Sequence, residues 1–166
     1  MDRIHIQTAA DPTAVGKIAA EIFLSHVRSK PNAVLGMATG STPLPLYAAL
    51  ADAFRAGSVS FKAVRTVNLD EYVGLAPTHD QSYRYFMNEN LFKRIDIDLA
   101  NTYIPDGMAE DPEAACKAYE EKIAALGGID IQLLGIGLNG HIGFNEPDDV
   151  FSKTRSEEHT SELQSR

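Results

Sequence analysis

Hydrophobic positions along the chain follow two alternating patterns. Short, continuous apolar runs are separated by longer segments in which apolar residues recur every three or four positions. The first pattern is typical of strands buried on both faces, and the second is typical of amphipathic helices. Their alternation predicts a βαβ succession. We therefore expect an α/β fold with an open, mostly parallel sheet and helices on both faces, a Rossmann-like three-layer sandwich.

Four segments are predicted as strands. The first, "RIHIQ", alternates polar residues with β-branched Ile4 and Ile6, which indicates a short edge strand. The other three are more continuously apolar, so we place them inside the sheet. They lie at 32–38, around 64–69 and at 129–137.

Four further segments are predicted as helices. In the first, Val15, Ile18 and Ile22 share one face, and the helix should begin after Asp11-Pro12 and end before Pro31. An Asp followed by Pro is typical of an N-cap and the first helical position. The remaining helices are predicted at 45–57, 80–95 and, after a second Asp-Pro pair, 113–128.

The composition is that of an ordinary globular protein. The chain has 166 residues, of which 44% are hydrophobic and 23% charged. Its apolar runs are far shorter than the roughly 20 residues of a membrane helix, and the N-terminus lacks the layout of a signal peptide. We therefore expect a cytoplasmic protein that does not bind membranes. Cys116 is the single cysteine, which excludes an intramolecular disulfide and favours a buried, inert thiol.

The net charge of -8 argues against a nucleic-acid partner. A protein that binds the phosphate backbone needs clustered Lys and Arg, and the sequence has no such cluster. An acidic chain can still bind a small anion through backbone N–H groups at the start of a helix. A small anionic ligand therefore remains compatible with the charge.

The loop after the second predicted strand is a candidate anion site. Open parallel sheets bind ligands outside the carboxyl ends of their strands. Here the sequence "ATGSTP" places Thr39, Gly40, Ser41 and Thr42 directly before a helix, which suits a phosphate or carboxylate. It is not a P-loop, because the lysine and the glycine spacing are missing. A plain helix cap formed by Thr42 would give the same pattern, so both interpretations remain open.

The loop after the third predicted strand, "NLDEYVGL", carries two adjacent acids. The side chains of Asp70 and Glu71 should diverge, so that only one can face a given ligand atom. A carboxylate at the end of a strand is a candidate general base. A solvated turn acid or a helix cap is the alternative.

The loop after the fourth predicted strand is rich in glycine and contains a histidine. In "GIGLNGHIGFNEP", Asn139, His141 and Glu146 would bring together an amide, an imidazole and a carboxylate if the loop folds back. A histidine oriented by a carboxylate is a common acid–base pair near neutral pH. The sequence has neither a G-x-S-x-G nucleophile elbow nor a metal-ligand spacing. Proton transfer on a bound anion is therefore the favoured chemistry, with no metal predicted.

Three segments, "TGSTP", "NLDEYVGL" and "GLNGHIGFNEP", resemble the signature segments of the glucosamine-6-phosphate deaminase family. The resemblance extends over residues 4–155, and "TGSTP" is shared with 6-phosphogluconolactonases. It implies an enzyme, classed as a hydrolase or isomerase, that converts glucosamine 6-phosphate and water into fructose 6-phosphate and ammonium. The implied steps are ring opening, aldose–ketose isomerisation and deamination, without a metal or an organic cofactor.

The resemblance also implies a role for each candidate residue. His141 would open the sugar ring, and Glu146 would orient it or relay charge to it. Asn139 would hold His141 by a hydrogen bond without carrying its charge. Asp70 would move a proton between C2 and C1, while Thr39, Gly40, Ser41 and Thr42 would bind the sugar phosphate.

Three alternative functions are compatible with the sequence. A 6-phosphogluconolactonase-type hydrolase would use the same phosphate loop, although "DEYVGL" and "FNEP" favour the deaminase. Galactosamine 6-phosphate could replace the glucosamine epimer as the substrate. A non-catalytic regulator that binds sugar phosphates would keep the phosphate loop without needing the acid–base residues. The resemblance allows the full-length enzyme to be a homo-oligomer.

The C-terminal stretch "RSEEHTSELQSR" is unlike the rest of the chain. It lacks apolar periodicity and resembles the in-frame translation of a sequencing-library adapter. We therefore predict that residues 1–154 are the N-terminal part of a single sugar-phosphate isomerase/deaminase domain and that 155–166 are a non-native tail. A native, solvated tail is the alternative. Because the family continues past this point, we expect a C-terminally truncated fragment with an incomplete sheet and weak or no activity of its own.

Overall fold

The fold is an α/β arrangement of four helices and four strands. The structure, a computed structural model, describes residues 4–143, so Glu146 and the tail at 155–166 lie outside the described residues. Short 3-10 turns occupy Phe92–Arg94 and Leu99–Asn101. The main elements in chain order are α1 (Pro12–Ser29), β1 (Val34–Met37), α2 (Leu44–Arg55), β2 (Arg65–Asn68), α3 (Tyr83–Asn90), β3 (Thr102–Tyr103), α4 (Pro112–Ala125) and β4 (Ile131–Gln132).

The four strands form one parallel sheet in the order β3-β2-β1-β4. Leu35 at the centre of β1 pairs with Thr66 of β2 on one side and Ile131 of β4 on the other. The chain thus proceeds outwards from β1 to β3 and then crosses back to place β4 on the other side of β1. This confirms the predicted open parallel sheet and places the switch in strand order between β1 and β4, where such sheets form a ligand crevice.

The main hydrophobic core covers one face of the sheet. Leu35 and Met37 of β1 are buried against Phe23 of α1 and against Leu46 and Leu50 of α2. Each large aliphatic side chain buried in this way contributes roughly 1.5–3 kcal/mol relative to its exposed state. The core therefore holds the carboxyl end of β1, and the loop that follows it, in a fixed position.

Helix α4 contacts the ends of β2 and β3. The Tyr119 hydroxyl lies 2.8 Å from the carbonyl oxygen of Asn68 and 3.0 Å from that of Tyr103, and Lys122 lies over the Tyr103 ring. Burial raises the pKa of Tyr119, so the hydroxyl stays protonated and can donate. No side chain of α4 is fully buried, which makes it the least enclosed of the four helices.

The helix starts confirm the two predicted Asp-Pro signals. Asp11 Oδ1 accepts a hydrogen bond from the Ala14 amide at 2.8 Å, and Asp111 Oδ1 accepts one from the Ala114 amide at 3.0 Å. Each proline occupies the first helical turn, where its missing N–H costs no hydrogen bond. No helix among the described residues is long and apolar enough to cross a membrane.

The predicted edge strand "RIHIQ" is wrong. Residues 4–10 have no regular secondary structure, and the side chains of Ile4 and Ile6 are 91% and 85% exposed. Alternation favours an extended backbone, but a strand also needs a neighbour that accepts and donates its hydrogen bonds. Within the described part of the chain, this segment has no such neighbour.

Other predicted bounds need adjustment. The helix predicted at 80–95 ends at Asn90 and continues as a 3-10 turn, and the strand predicted at 129–137 shrinks to Ile131–Gln132. The prediction missed β3, because two residues are too few to give a hydrophobic pattern.

Cys116 is half-buried rather than buried, and desolvation together with the charge of Glu120 raises the pKa of its thiol. A raised pKa keeps the thiol protonated and unreactive.

Candidate active site

A cleft of about 630 Å³ lies at the carboxyl ends of β1, β2 and β4. Its walls come from the loops that follow β1, β2 and β4, and its floor comes from α1. The structure therefore brings together three loops that are far apart in the sequence. The candidate residues that line the cleft are Thr39, Gly40, Thr42, Asp70 and His141.

The loop after β1 leads directly into the start of α2. Gly40 has a φ of 97°, a conformation that favours glycine, and the N-cap position of α2 is Pro43. No side chain caps this helix, so the alternative of a plain Thr42 cap is wrong. The positive end of the helix dipole therefore faces the cleft without a capping side chain, as in many anion sites. Ser41 is not among the residues that line the cleft.

Two contacts hold this loop in place. The buried Tyr47 hydroxyl donates to the carbonyl of Ala38 and accepts from its amide, and burial raises the pKa of Tyr47 so that the hydroxyl stays neutral. Gly16 of α1 lies so close to α2 that an added Cβ would be 2.5 Å from the Cβ of Pro45. Gly16 also lines the cleft, so the close contact between α1 and α2 determines where this part of the cleft surface lies. The sequence analysis missed Gly16, because its spacing shows only that it lies inside a helix.

Asp70 and Glu71 diverge at the end of β2, as predicted. Asp70 lines the cleft and is half-buried, whereas the Glu71 side chain is 8% exposed and turns towards the start of α3. Each carboxylate oxygen of Glu71 accepts two hydrogen bonds. The four donors are the amides of Tyr72 (2.9 Å), Tyr83 (2.9 Å) and Arg84 (3.0 Å) and the hydroxyl of Ser82 (3.1 Å). One acid therefore faces the cleft and the other caps a helix.

Two tyrosines complete this side of the cleft. Tyr72 and Tyr83 both line it, and their ring centroids are 4.7 Å apart. Burial raises the pKa of Tyr83, and the hydrogen bond with Tyr72 and the negative charge of Asp70 raise it further. The Tyr83 hydroxyl therefore stays protonated and can donate to a ligand oxygen. Tyr83 is absent from the residues that the sequence predicts for the site, because an aromatic residue in a predicted helix is more often part of the core. Its place at the start of α3, shortly after the "NLDEYVGL" loop, was the signal that could have identified it.

The loop after β4 pairs His141 with Asn139. The His141 Nδ1 lies 2.7 Å from Asn139 Oδ1, and the His141 amide donates to the same oxygen. Because an amide oxygen only accepts, Nδ1 carries the proton in the neutral imidazole and Nε2 is the acceptor. Gly137 makes room for the ring, since a Cβ there would be 2.3 Å from His141 Cε1. Asn139 is exposed and contacts His141 from outside the cleft lining.

The described residues do not include every candidate. Glu146 lies outside them, so its position relative to His141 stays a prediction. Among residues 4–143, no group of three His, Cys, Asp or Glu side chains is arranged to hold a metal ion.

The fold and the cleft together define a class of protein. A carboxylate, an imidazole and a helix N-terminus meet at the switch point of an open parallel sheet. This arrangement suits acid–base chemistry on a small anionic ligand. The class is therefore that of α/β proteins in which a carboxylate, an imidazole and a helix start line one cleft at the ends of the strands.

Comparison with known proteins identifies the family within this class. The sequence profile of the family described as glucosamine-6-phosphate isomerases/6-phosphogluconolactonase matches residues 8–155, and the chain belongs to this family. It is 62% identical over 142 residues to a glucosamine-6-phosphate deaminase of Shewanella woodyi, a match covering 85% of this chain and 54% of that relative. The chain thus spans about half the length of the curated relatives that it matches.

Two solved structures share the fold. A monomeric glucosamine-6-phosphate deaminase matches with a TM-score of 0.84 at 46% identity, covering 89% of this chain and 61% of that one. A 6-phosphogluconolactonase from Thermotoga maritima matches with a TM-score of 0.59 at 26% identity, covering 74% of this chain and 58% of that one. Both matches support the α/β architecture, and the deaminase is the more similar of the two.

Proposed function

We propose that the protein to which this chain belongs converts glucosamine 6-phosphate and water into fructose 6-phosphate and ammonium. The observation that carries this proposal is the cleft shared by Asp70, His141 and the loop from Thr39 to Thr42. The relatives named as glucosamine-6-phosphate deaminases support it. The proposed class is an isomerase-deaminase, and the hydrolase label refers only to the final addition of water.

His141 opens the sugar ring in this proposal. With Nδ1 protonated and bonded to Asn139, the unprotonated Nε2 accepts the proton of the anomeric hydroxyl. The same nitrogen then returns that proton to the ring oxygen as the bond between C1 and the ring oxygen breaks. The products of this step are an open-chain aldehyde and a histidine in its starting state. Glu146 would orient the imidazole or relay charge to it.

Asp70 is the proposed base for the isomerisation. It removes the proton from C2 of the open-chain aldehyde while a proton of the substrate ammonium passes to O1, which gives the enolamine, and it then returns the C2 proton to C1. The nitrogen on C2 becomes an iminium, and addition of water to C2 followed by departure of the nitrogen as ammonium leaves the ketone. A protonated Tyr83 hydroxyl beside Asp70 would donate a hydrogen bond to a substrate oxygen while this charge moves.

The phosphate occupies the loop after β1 in this proposal. Thr39, Gly40, Ser41 and Thr42 lie at or beside the start of α2, where backbone N–H groups and the helix dipole favour an anion. Thr39 and Thr42 line the cleft and supply hydroxyl donors. The affinity for the sugar should therefore depend strongly on its 6-phosphate.

The deaminase is favoured over the lactonase by the difference in similarity. Among the solved structures, the chain is 46% identical to a deaminase, with a TM-score of 0.84, and 26% identical to a lactonase, with a TM-score of 0.59. The proposed substrate is glucosamine 6-phosphate, with galactosamine 6-phosphate as the alternative. We also propose that the full-length enzyme is cytoplasmic and that it can form a homo-oligomer. A regulator without catalytic activity would bind the sugar phosphate but release no ammonia.

The test requires a full-length chain. Residues 1–143 of this protein can be joined to the C-terminal part of the Shewanella woodyi relative to give a chimeric enzyme. We expect the chimera to release ammonium and fructose 6-phosphate in equal amounts from glucosamine 6-phosphate, measured by coupled assays. Galactosamine 6-phosphate and 6-phosphogluconolactone serve as competing substrates. Faster hydrolysis of the lactone would reject the deaminase, and sugar-phosphate binding without turnover of any substrate would indicate the regulator.

A further inference from the structure

Glu71 is a buried acid whose hydrogen bonds join two elements of the cleft wall. Of its four donors, the Tyr72 amide belongs to the turn that carries Asp70. The other three belong to the first turn of α3 or to its N-cap. All four partners donate to the carboxylate, which lies at the positive end of the α3 helix dipole. One side chain therefore ties the turn after β2 to the start of α3.

Further contacts hold the turn after β2 and the start of α3, and they come from β3 and the loop that follows it. The Arg84 guanidinium donates to the side-chain oxygen of Thr102 at 2.7 Å and to its carbonyl oxygen at 2.8 Å. The Gly74 amide donates to the carbonyl of Gly107 at 2.7 Å, and a Cβ on Gly107 would be 2.1 Å from the Tyr72 carbonyl oxygen. The turn is thus enclosed on both sides, with Glu71 at its centre.

This unit carries two groups that line the cleft. Asp70 directly precedes Glu71, and Tyr83, whose amide Glu71 binds, directs its ring into the same cleft. Glu71 itself is not among the residues that line the cleft. Glu71 can therefore affect a reaction in the cleft only indirectly, by determining where Asp70 and Tyr83 lie.

We propose that Glu71 is a positioning residue that fixes the Asp70 carboxylate relative to the substrate. This inference rests on the proposed function, in which Asp70 serves C2 and C1 in turn and must remain within hydrogen-bonding reach of both. A displacement of about 1 Å can cost roughly 100-fold in rate. The hydrogen bonds of Glu71 limit the displacement of the Asp70 carboxylate to less than this distance.

Glu71→Gln in the chimeric full-length enzyme tests the proposal. Glutamine keeps the size and one acceptor oxygen but directs an NH₂ group at two of the four donors, so the turn should shift while the fold persists. We expect kcat to fall about 10- to 100-fold, with KM changed less than about threefold. Asp111→Asn is the matched control, since Asp111 caps α4 away from the cleft and kcat should not change.

A second measurement on the 166-residue chain does not depend on turnover. In Glu71→Gln, amide hydrogen exchange at Tyr72, Tyr83 and Arg84 should accelerate, and the ¹³C carboxyl signal of Asp70 should shift. Asp111→Asn should change neither signal. These readouts report the geometry directly, because the three amides are the donors that Glu71 binds.

The two measurements separate failure of this inference from failure of the proposed function. If Glu71→Gln lowers only the unfolding temperature and leaves kcat of the folded enzyme unchanged, the positioning role is wrong. Unchanged exchange and an unchanged Asp70 signal would also overturn it, whether or not the wild type releases ammonia. If both signals change while the wild-type chimera has no deaminase activity, the proposed function fails and the positioning of Asp70 stands.

Discussion

At the residue scale, Asn139 places a neutral hydrogen-bond acceptor beside the His141 imidazole. The amide oxygen accepts from the imidazole at 2.7 Å and fixes the tautomer, but it brings no negative charge. An aspartate at this position would fix the same tautomer and also stabilise the protonated ring. The residue at position 139 should therefore influence the pH range of ring opening rather than the ability to perform it.

Asn139→Asp in the chimeric enzyme tests this interpretation. Because the added carboxylate favours the protonated imidazole, the unprotonated base appears only at higher pH. We expect the acid limb of the pH–rate profile to move up by about one pH unit, with the maximal rate largely retained. An unshifted profile would show that the charge at position 139 does not act on His141.

Gly137 provides the space for the His141 imidazole. Its added Cβ would lie 2.3 Å from His141 Cε1, so Gly137→Ala should displace the ring and lower kcat about 10- to 100-fold. Gly135→Ala is the matched control, because a Cβ there meets nothing within 4 Å, and its kcat should stay within about threefold. Equal kcat values for the two variants would contradict the steric role of Gly137.

The sequence could identify Asp70 and His141 as candidates but could not arrange them. Their positions after predicted strands follow from hydrophobic pattern, and the divergence of Asp70 from Glu71 follows from adjacency in a turn. Which of the two acids faces the cleft depends on the donors at the start of α3, and these come from a distant segment. Tyr83 was missed for a related reason, since helical periodicity alone does not show which end of a helix lies beside a cleft.

At the element scale, Asp130 fastens the start of β4 to β1. Its carboxylate accepts from Lys30 Nζ at 2.7 Å and from the Val34 amide at 2.8 Å. These two hydrogen bonds lower the pKa of Asp130 below its ordinary value. Among the described strands β4 pairs with β1 alone, so this contact helps to hold the strand that leads to the His141 loop.

The pH dependence of stability tests this fastening. A lowered pKa in the folded state means that Asp130 stabilises the fold above its unfolded pKa of about 3.9 and that this contribution is lost as the pH falls below it. We expect Asp130→Asn to lower the free energy of unfolding by about 1 kcal/mol at pH 7, and the difference from wild type to shrink towards pH 3. Denaturant unfolding at several pH values measures this. A difference that does not vary with pH would contradict the assignment to the carboxylate charge.

Elements with a long, regular pattern were predicted well, and short ones were not. Helices α1 and α4 have an Asp-Pro start, and α1 in addition has apolar residues at helical spacing, so local signals specify them. The buried face of α1 differs from the one predicted, because Val15, Ile18 and Ile22 are exposed. Its buried side chains include Phe23, Leu24 and Val27. Strand β3 has two residues and exists because Thr102 and Tyr103 pair with β2. The segment "RIHIQ" has the local pattern of a strand but no partner among the described residues. In both segments, the presence or absence of a pairing strand from elsewhere in the sequence determines whether a strand forms.

At the scale of the whole molecule, the order of the strands creates the cleft. A βαβ succession predicts a parallel sheet but leaves the order open, whereas the observed order places β1 between β2 and β4. The three loops that carry the candidate anion site, Asp70 and His141 therefore meet at one edge of the sheet. Several large side chains after β4 remain exposed, among them Ile136 and Leu138. The match covers only 54% of the Shewanella woodyi deaminase, so a full-length chain is the appropriate test.

The most direct test of the proposed chemistry is the turnover of glucosamine 6-phosphate by the chimeric enzyme and by its Asp70→Asn variant. Removing a general base typically costs 10²- to 10⁴-fold in rate. We predict that Asp70→Asn lowers ammonium release by about 1,000-fold while sugar-phosphate binding, measured by calorimetry, stays within about threefold. Ammonium release by Asp70→Asn within threefold of the parent would show that Asp70 is not the base.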